Sequence, residues 1–320
     1  MKSLVSRVVN TAALLIVFGG LPDALSAQWP NYPTPGVPKG PDGKPDLTGP
    51  VPRTADGHPD LSGMWTIASR PRPVPTDGSI PGQLPLSPTP ASPASAGSTT
   101  PGALPAGSQF GVGGIGLGPP PPGISQFFNI GSTLKDGLPF TPWAKEIRAQ
   151  RKGENNKDNP DAHCLPLGLM QLHLHPQPRK IIQLPKLIVI LYEAQAGIRQ
   201  IFMDGRPLPS SLPNSDPQPW WYGYSIGHWD GDTLVVETTG FRDDVWLDVE
   251  GSPLTNTGKM TERFRRVNYG NMDIEITVED PKAYTKPWTV MVKHRVMLDT
   301  DLIEFICNEN EKSDAHLVGK

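Results

Sequence analysis

Four ionisable residues sit inside strongly apolar runs, where a charge must find a partner or give up its ionisation. Glu193 ends the run Leu187-Ile188-Val189-Ile190-Leu191-Tyr192 and shares the alternate face with Leu187, Val189 and Leu191. Arg199 lies between Ile198 and Gln200, Glu262 alternates with Met260 and Phe264, and His294 alternates with Val290, Val292 and Val296. If those apolar faces line one interior, two carboxylates, a guanidinium and an imidazole converge there. Such a set can move protons on a bound substrate, with Arg199 steadying an anion, and it needs no cofactor. Arg199 is expected to pair with one carboxylate, and Arg199→Met to weaken binding or activity more than folding. Outward-facing side chains or structural ion pairs are the competing account of each residue taken singly.

A second group suits binding rather than proton transfer. Trp221, Tyr224 and Trp229 crowd one strand, beside Trp220 and Tyr222, and can line a pocket for a flat or apolar molecule. Glu237, on one face with Val235, would supply a polar contact. His173 and His175, one residue apart, would point the same way on a strand and could chelate a metal with His163, His228 or His294. The ligand count is incomplete, so no metal is assigned. No Gly-x-Ser-x-Gly elbow, phosphate loop, dinucleotide fingerprint or haem-attachment pair is present, and no cofactor is expected.

The elements that must carry these residues are strands. Runs at 180–184, 187–194, 198–203, 221–229, 233–239, 259–267, 272–278, 288–298 and 302–307 are separated by Asp-Gly, Asn and Gly turns. Eight or nine successive strands without an intervening helix predict a mainly β fold, an antiparallel up-and-down barrel that leaves no exposed edge. One short helix precedes it over 142–152, with Thr141 as N-cap and Pro142 in the first turn. The barrel domain is placed at 140–320.

Residues 28–139 are rich in Pro and Gly and are expected to form a mostly disordered arm with a short strand near 61–68. Within it, Asp42-Gly43-Lys44-Pro45-Asp46-Leu47-Thr48-Gly49 is nearly repeated as Asp56-Gly57-His58-Pro59-Asp60-Leu61-Ser62-Gly63. Residues 71–125 are low in complexity, and proteolysis is expected to clip there. The first 27 residues, with Lys2 and Arg7, an apolar run over 12–21 and the exit Ala24-Leu25-Ser26-Ala27, have the form of a secretory signal peptide. The expected compartment is periplasmic or extracellular, without stable membrane insertion. There, Cys164 and Cys307 are expected to form a disulfide. The net charge of -3 gives no basic footprint for nucleic acid.

Gly63-Met64-Trp65 at the start of the first strand resembles the Gly-x-Trp opening of lipocalin (calycin) barrels. Over residues 56–320, PDLSGMW, ILYEAQAGIRQIFMDGRPLP, GYSIGHWDGDTLVVETTGF, TERFRR, EDPKAYTKPWT and CNENEKSDAH resemble an abundant family of exported bacterial proteins. That resemblance implies export and a β-rich fold, and carries over no catalytic residues. Together these readings favour an exported lipocalin-like barrel that binds a small apolar or aromatic molecule. The alternatives are a cofactor-independent hydratase, isomerase or hydrolase, and an envelope protein whose Pro-rich arm docks on a protein partner.

Overall fold

Nine strands close into a barrel in the order β1-β11-β10-β9-β6-β5-β4-β3-β2. These are β1 (Gly63–Ile67), β2 (Arg179–Leu184), β3 (Leu187–Tyr192), β4 (Ile198–Phe202), β5 (Tyr224–Asp230), β6 (Thr233–Thr239), β9 (Lys259–Arg266), β10 (Asn271–Glu279) and β11 (Trp288–Met297). The remaining pair, β7 (Val245–Trp246) and β8 (Pro253–Leu254), forms a small ribbon between β6 and β9. The computed structural model describes residues 32–68, 129–209 and 219–309. The expected signal peptide and the low-complexity stretch 71–125 lie outside the described residues.

A ring of nine strands cannot alternate in direction all the way round, so at least one neighbouring pair must run parallel. That pair is β4 and β5, and its ladder holds only Ile201↔Ser225 and Phe202↔Ile226. Every other junction in the ring is antiparallel. β1 pairs with both β2 and β11, so the strand carrying Trp65 completes the barrel across a long insertion. The segment 302–307, expected as a last strand, forms no strand and joins no ladder.

The lumen is filled. Ile181, Ile188, Ile190, Ile201, Leu234, Val236, Phe264, Ile274, Ile276 and Val292 are all buried and cluster in one core. The face of β3 differs from the sequence expectation by one residue. Ile188, Ile190 and Tyr192 point inward, while Leu187, Val189 and Leu191 lie half-buried on the outside. Both faces of this strand are apolar, so alternation alone could not choose between them.

The two barrel ends are closed by different segments. Helix α1 (Pro142–Gly153) is capped by Thr141, whose hydroxyl accepts from the Ala144 N–H at 3.2 Å. A second helix, α2 (Leu169–Leu174), is buried at every residue and plugs the end where β4 begins. The other end is covered by the arm. Residues 32–62 are held in hydrogen-bonded turns rather than disordered, and the two near-repeats form matching bridges, Lys39↔Pro45 and Arg53↔Pro59. Each places an Asp-Gly glycine in the left-handed region, Gly43 at φ +75° and Gly57 at φ +86°.

Gly223 sets the geometry of the seam. Its φ is +65°, and an added Cβ would lie 2.5 Å from Thr238 Cγ2 and 2.8 Å from Phe241 Cε1. Gly223→Ala is therefore expected to cost about 1–3 kcal/mol from backbone strain alone, read as a lowered denaturation midpoint at unchanged m-value. A variant as stable as the parent would contradict this placement.

Candidate functional site

Inward-facing positions on β4, β5, β6 and β9 bring Arg199, Ser225, Thr238 and Glu262 together, and α2 adds His173. Arg199 Nη1 donates to Glu262 Oε1 at 3.0 Å, and Nη2 makes a second, shorter bond to Oε2. His173 Nε2 lies 2.6 Å from the same Oε1. The other edge of the guanidinium is taken by hydroxyls: Nε to Ser225 Oγ at 3.1 Å and Nη2 to Thr238 Oγ1 at 3.0 Å. The side chains of Arg199, Glu262 and His173 are at most 1% exposed.

Burial on its own would raise the Glu262 pKa, but Arg199 and then His173 outweigh it, leaving the carboxyl at about 2. Burial lowers the His173 pKa in spite of Glu262, so the ring is neutral. It therefore carries its proton on Nε2 and donates to the carboxylate. The inward hydroxyl of Tyr192, its pKa raised by burial, faces Arg199 without completing a hydrogen bond of good geometry.

Arg179 serves a different purpose. Its Nη1 donates to the carbonyl of His173 at 3.0 Å, and Nη2 to those of His175 at 2.8 Å and Gln177 at 3.2 Å. The carbonyls of His173 and His175 are at the end of α2, where carbonyls lack helical partners and a cation is favoured. Arg179 thus pins the plug. His294 Nε2 lies 2.8 Å from Arg179 Nη1, and burial followed by that guanidinium drives the ring pKa well below its ordinary value. His294 is lumenal as the alternation predicts, but it joins Arg179 rather than Glu262.

The other expected site residues scatter. Glu193 stands outside the lumen beyond the end of β3, where its carboxylate accepts from the Ile303 N–H at 3.3 Å. Glu237 faces outward and pairs with Lys259. Trp229 lies at the opposite barrel end, stacked on His58 at 4.7 Å. His173 and His175 fall on and after a helix instead of a strand. His175 is buried, its pKa lowered to about 4 by burial and then by Arg179. Among the described residues, no group of three or more His, Cys, Asp or Glu is placed to hold a metal.

Trp221 and Tyr224 do share a site. Before β5 begins, the chain turns away to bond along the exit of β6: Trp220 N–H donates to Gly240 O at 2.9 Å and Arg242 N–H to Trp220 O at 3.1 Å. This leaves Ile198, Arg199 and Gln200 without ladder partners on the β5 side. The resulting cleft, about 320 Å³, is lined by Pro166, Ile198, Phe202, Trp220, Trp221, Tyr222 and Tyr224, with Arg199 and Ser225 also in its lining. Ile198 is 61% exposed on its lip. Arg242 lies over Trp221 at 4.5 Å and Arg206 over Phe202 at 3.9 Å. Both are paired, with Asp244 and Asp204 respectively.

No protein-family model, curated protein or solved structure matches this chain. The functional case therefore stands on the geometry.

Sequence reasoning missed Ser225, Thr238, Tyr192 and Arg179. Thr238 could have been found as the polar member of the alternation Leu234, Val236, Thr238, whereas Arg179-Lys180-Ile181-Ile182-Gln183 carries polar residues on both faces and Tyr192 lies on a strand with two apolar faces. A larger groove, about 510 Å³, lies at the arm-covered end between residues 32–36, β1 and the end of β11. It contains the Lys180–Asp301 pair and Arg266, and none of Arg199, Glu262 or His173 lines it.

Proposed function

We propose that this protein is an exported barrel that binds a small, neutral, largely apolar molecule in the cleft between β4 and β5. The observation that carries this reading is an aromatic cleft whose charges are already matched inside the protein. Arg199 is matched by Glu262, Arg206 by Asp204 and Arg242 by Asp244. A charged ligand would find no uncompensated partner among them, while a flat apolar one gains indole and phenol faces. The exposed Ile198 and the aromatic lip also form an apolar patch at a concave site, a usual sign of binding. Export is supported by the N-terminal sequence and by the Cys164–Cys307 disulfide. No helix among the described residues is long and apolar enough to cross a membrane.

Acid–base catalysis has less support. His173 and Glu262 do not line the cleft, and their side chains are sealed in the lumen. They hold Arg199, and Arg199 shapes the floor. Titration with 2-isopropenylnaphthalene, followed by tryptophan fluorescence, tests the proposal. Saturable binding to the parent and about tenfold weaker binding to Trp221→Ala are expected, the loss of one aromatic wall. Equal affinity in parent and variant would sink it.

A further inference from the structure

Taking the cleft as the binding site, we infer that its ligand carries a hydrogen-bond acceptor, a carbonyl-type oxygen on a flat apolar ring, which meets the hydroxyl of Ser225. The inference rests on counting hydrogens. Arg199 has N–H donors and no acceptor. Its Nε and Nη2 lie 3.1 Å from Ser225 Oγ, and Nη2 lies 3.0 Å from Thr238 Oγ1. The two hydroxyl oxygens are 2.9 Å apart, so one hydroxyl hydrogen lies between them and the other needs a different acceptor.

Which hydrogen is left over follows from position, since both residues are buried, Ser225 at 1% exposure and Thr238 at 0%, and only Ser225 borders the cleft. Thr238 is fully buried on β6, and a spare hydrogen there would be stranded in the dry lumen, at the full cost of desolvation. Ser225 lines the cleft. In the arrangement that strands nothing, Thr238 donates to Ser225, and Ser225 turns its own hydrogen toward the cleft. The two lone pairs of Ser225 then receive the Arg199 Nε–H and the Thr238 O–H, and Thr238 receives the Nη2–H. The Ser225 hydroxyl is thereby a donor only. A ligand offering O–H or N–H to this floor meets donors; a carbonyl oxygen is satisfied.

The test compares two probes of one shape, 2-acetonaphthone (C=O) and 2-isopropenylnaphthalene (C=CH2), by calorimetry on the full exported chain. Partition out of water favours the hydrocarbon, so a preference for the ketone reports the hydrogen bond. The parent should bind the ketone about tenfold more tightly, and Ser225→Ala should lose that preference while keeping its affinity for the hydrocarbon. The stretching band of carbonyl-13C ketone should move to lower frequency on binding to the parent. That measurement needs no variant, so poor folding of Ser225→Ala does not prevent a decision. Equal binding of the two probes without a band shift overturns the acceptor inference and leaves the cleft reading intact. Tighter binding of 2-naphthol than of the ketone also overturns the inference. Failure of every probe to bind overturns the cleft reading itself.

Discussion

Arg199→Met is expected to lose about 3–5 kcal/mol of folding stability at neutral pH, the usual result of leaving a buried charge without its partner. This reverses the sequence-based expectation that binding would suffer more than folding. Arg199 supplies two bonds to Glu262, two to Ser225 and one to Thr238, all between buried side chains. The methionine would leave a carboxylate with one neutral imidazole beside it. A double variant, Arg199→Met with Glu262→Leu, should recover most of the loss, because replacing both members of a buried pair costs far less than removing one.

The pH dependence gives an independent check. In the parent, Glu262 titrates at about 2, below its ordinary range, so the folded state binds fewer protons than the unfolded one. That contribution is fully present above the ordinary carboxylate range and is lost as pH falls toward 2. In Arg199→Met, burial is no longer opposed by the guanidinium, and the Glu262–His173 pair takes up a proton on folding. Its stability should then gain on the parent as pH falls from 7 to 5. His175 and His294 titrate downward in both proteins and cancel in the difference. Chemical denaturation at several pH values measures the gap, and a gap that stays constant or widens would refute the assignment.

The barrel was legible in the sequence because turn residues punctuate strands of regular length. Asp230-Gly231 and Asn268-Tyr269-Gly270-Asn271 mark hairpins that the structure contains. Where a strand has a polar and an apolar face, its direction was legible too: Met260, Glu262 and Phe264 alternate with Thr261 and Arg263, and Glu262 does point inward. β3 has two apolar faces and hid its parity, which misplaced Glu193. The helical plug was hidden for a different reason. Leu169-Met170-Gln171-Leu172-His173-Leu174 is short and buried all round, so it has no amphipathic period. Its helical turn places His173 against Glu262, a partnership between residues 89 apart in sequence. The cleft was half legible. Trp221 and Tyr224 could be grouped by spacing, but the parallel junction that opens beside them is a property of the closed ring. No local pattern encodes the need for one parallel pair in nine.

Reduction of the Cys164–Cys307 disulfide is expected to cost up to about 5 kcal/mol in the chain-entropy view, because the bond closes a loop of sequence separation 143. The effect should be large for a local reason as well. Residues 301–307 join no ladder, and their ties to the barrel include the Asp301–Lys180 pair at 2.7 Å and the Ile303 N–H to Glu193 at 3.3 Å. The first is a partly exposed ion pair and contributes little. With the crosslink gone, this segment should detach and the Ile303 amide should exchange freely. Cys164 is followed by Leu165 and Pro166, and Pro166 lines the cleft. Reduction should therefore also weaken binding of a naphthalene probe, which loss of global stability alone would not do in protein that remains folded. Paired Cys164→Ser and Cys307→Ser substitutions, compared with the parent under non-reducing conditions, separate the two effects. A linked peptide pair by mass spectrometry, a lower unfolding midpoint and weaker probe binding are the expected results. An unchanged midpoint would remove the disulfide from the account of stability, and unchanged probe affinity in the folded variant would detach it from the cleft.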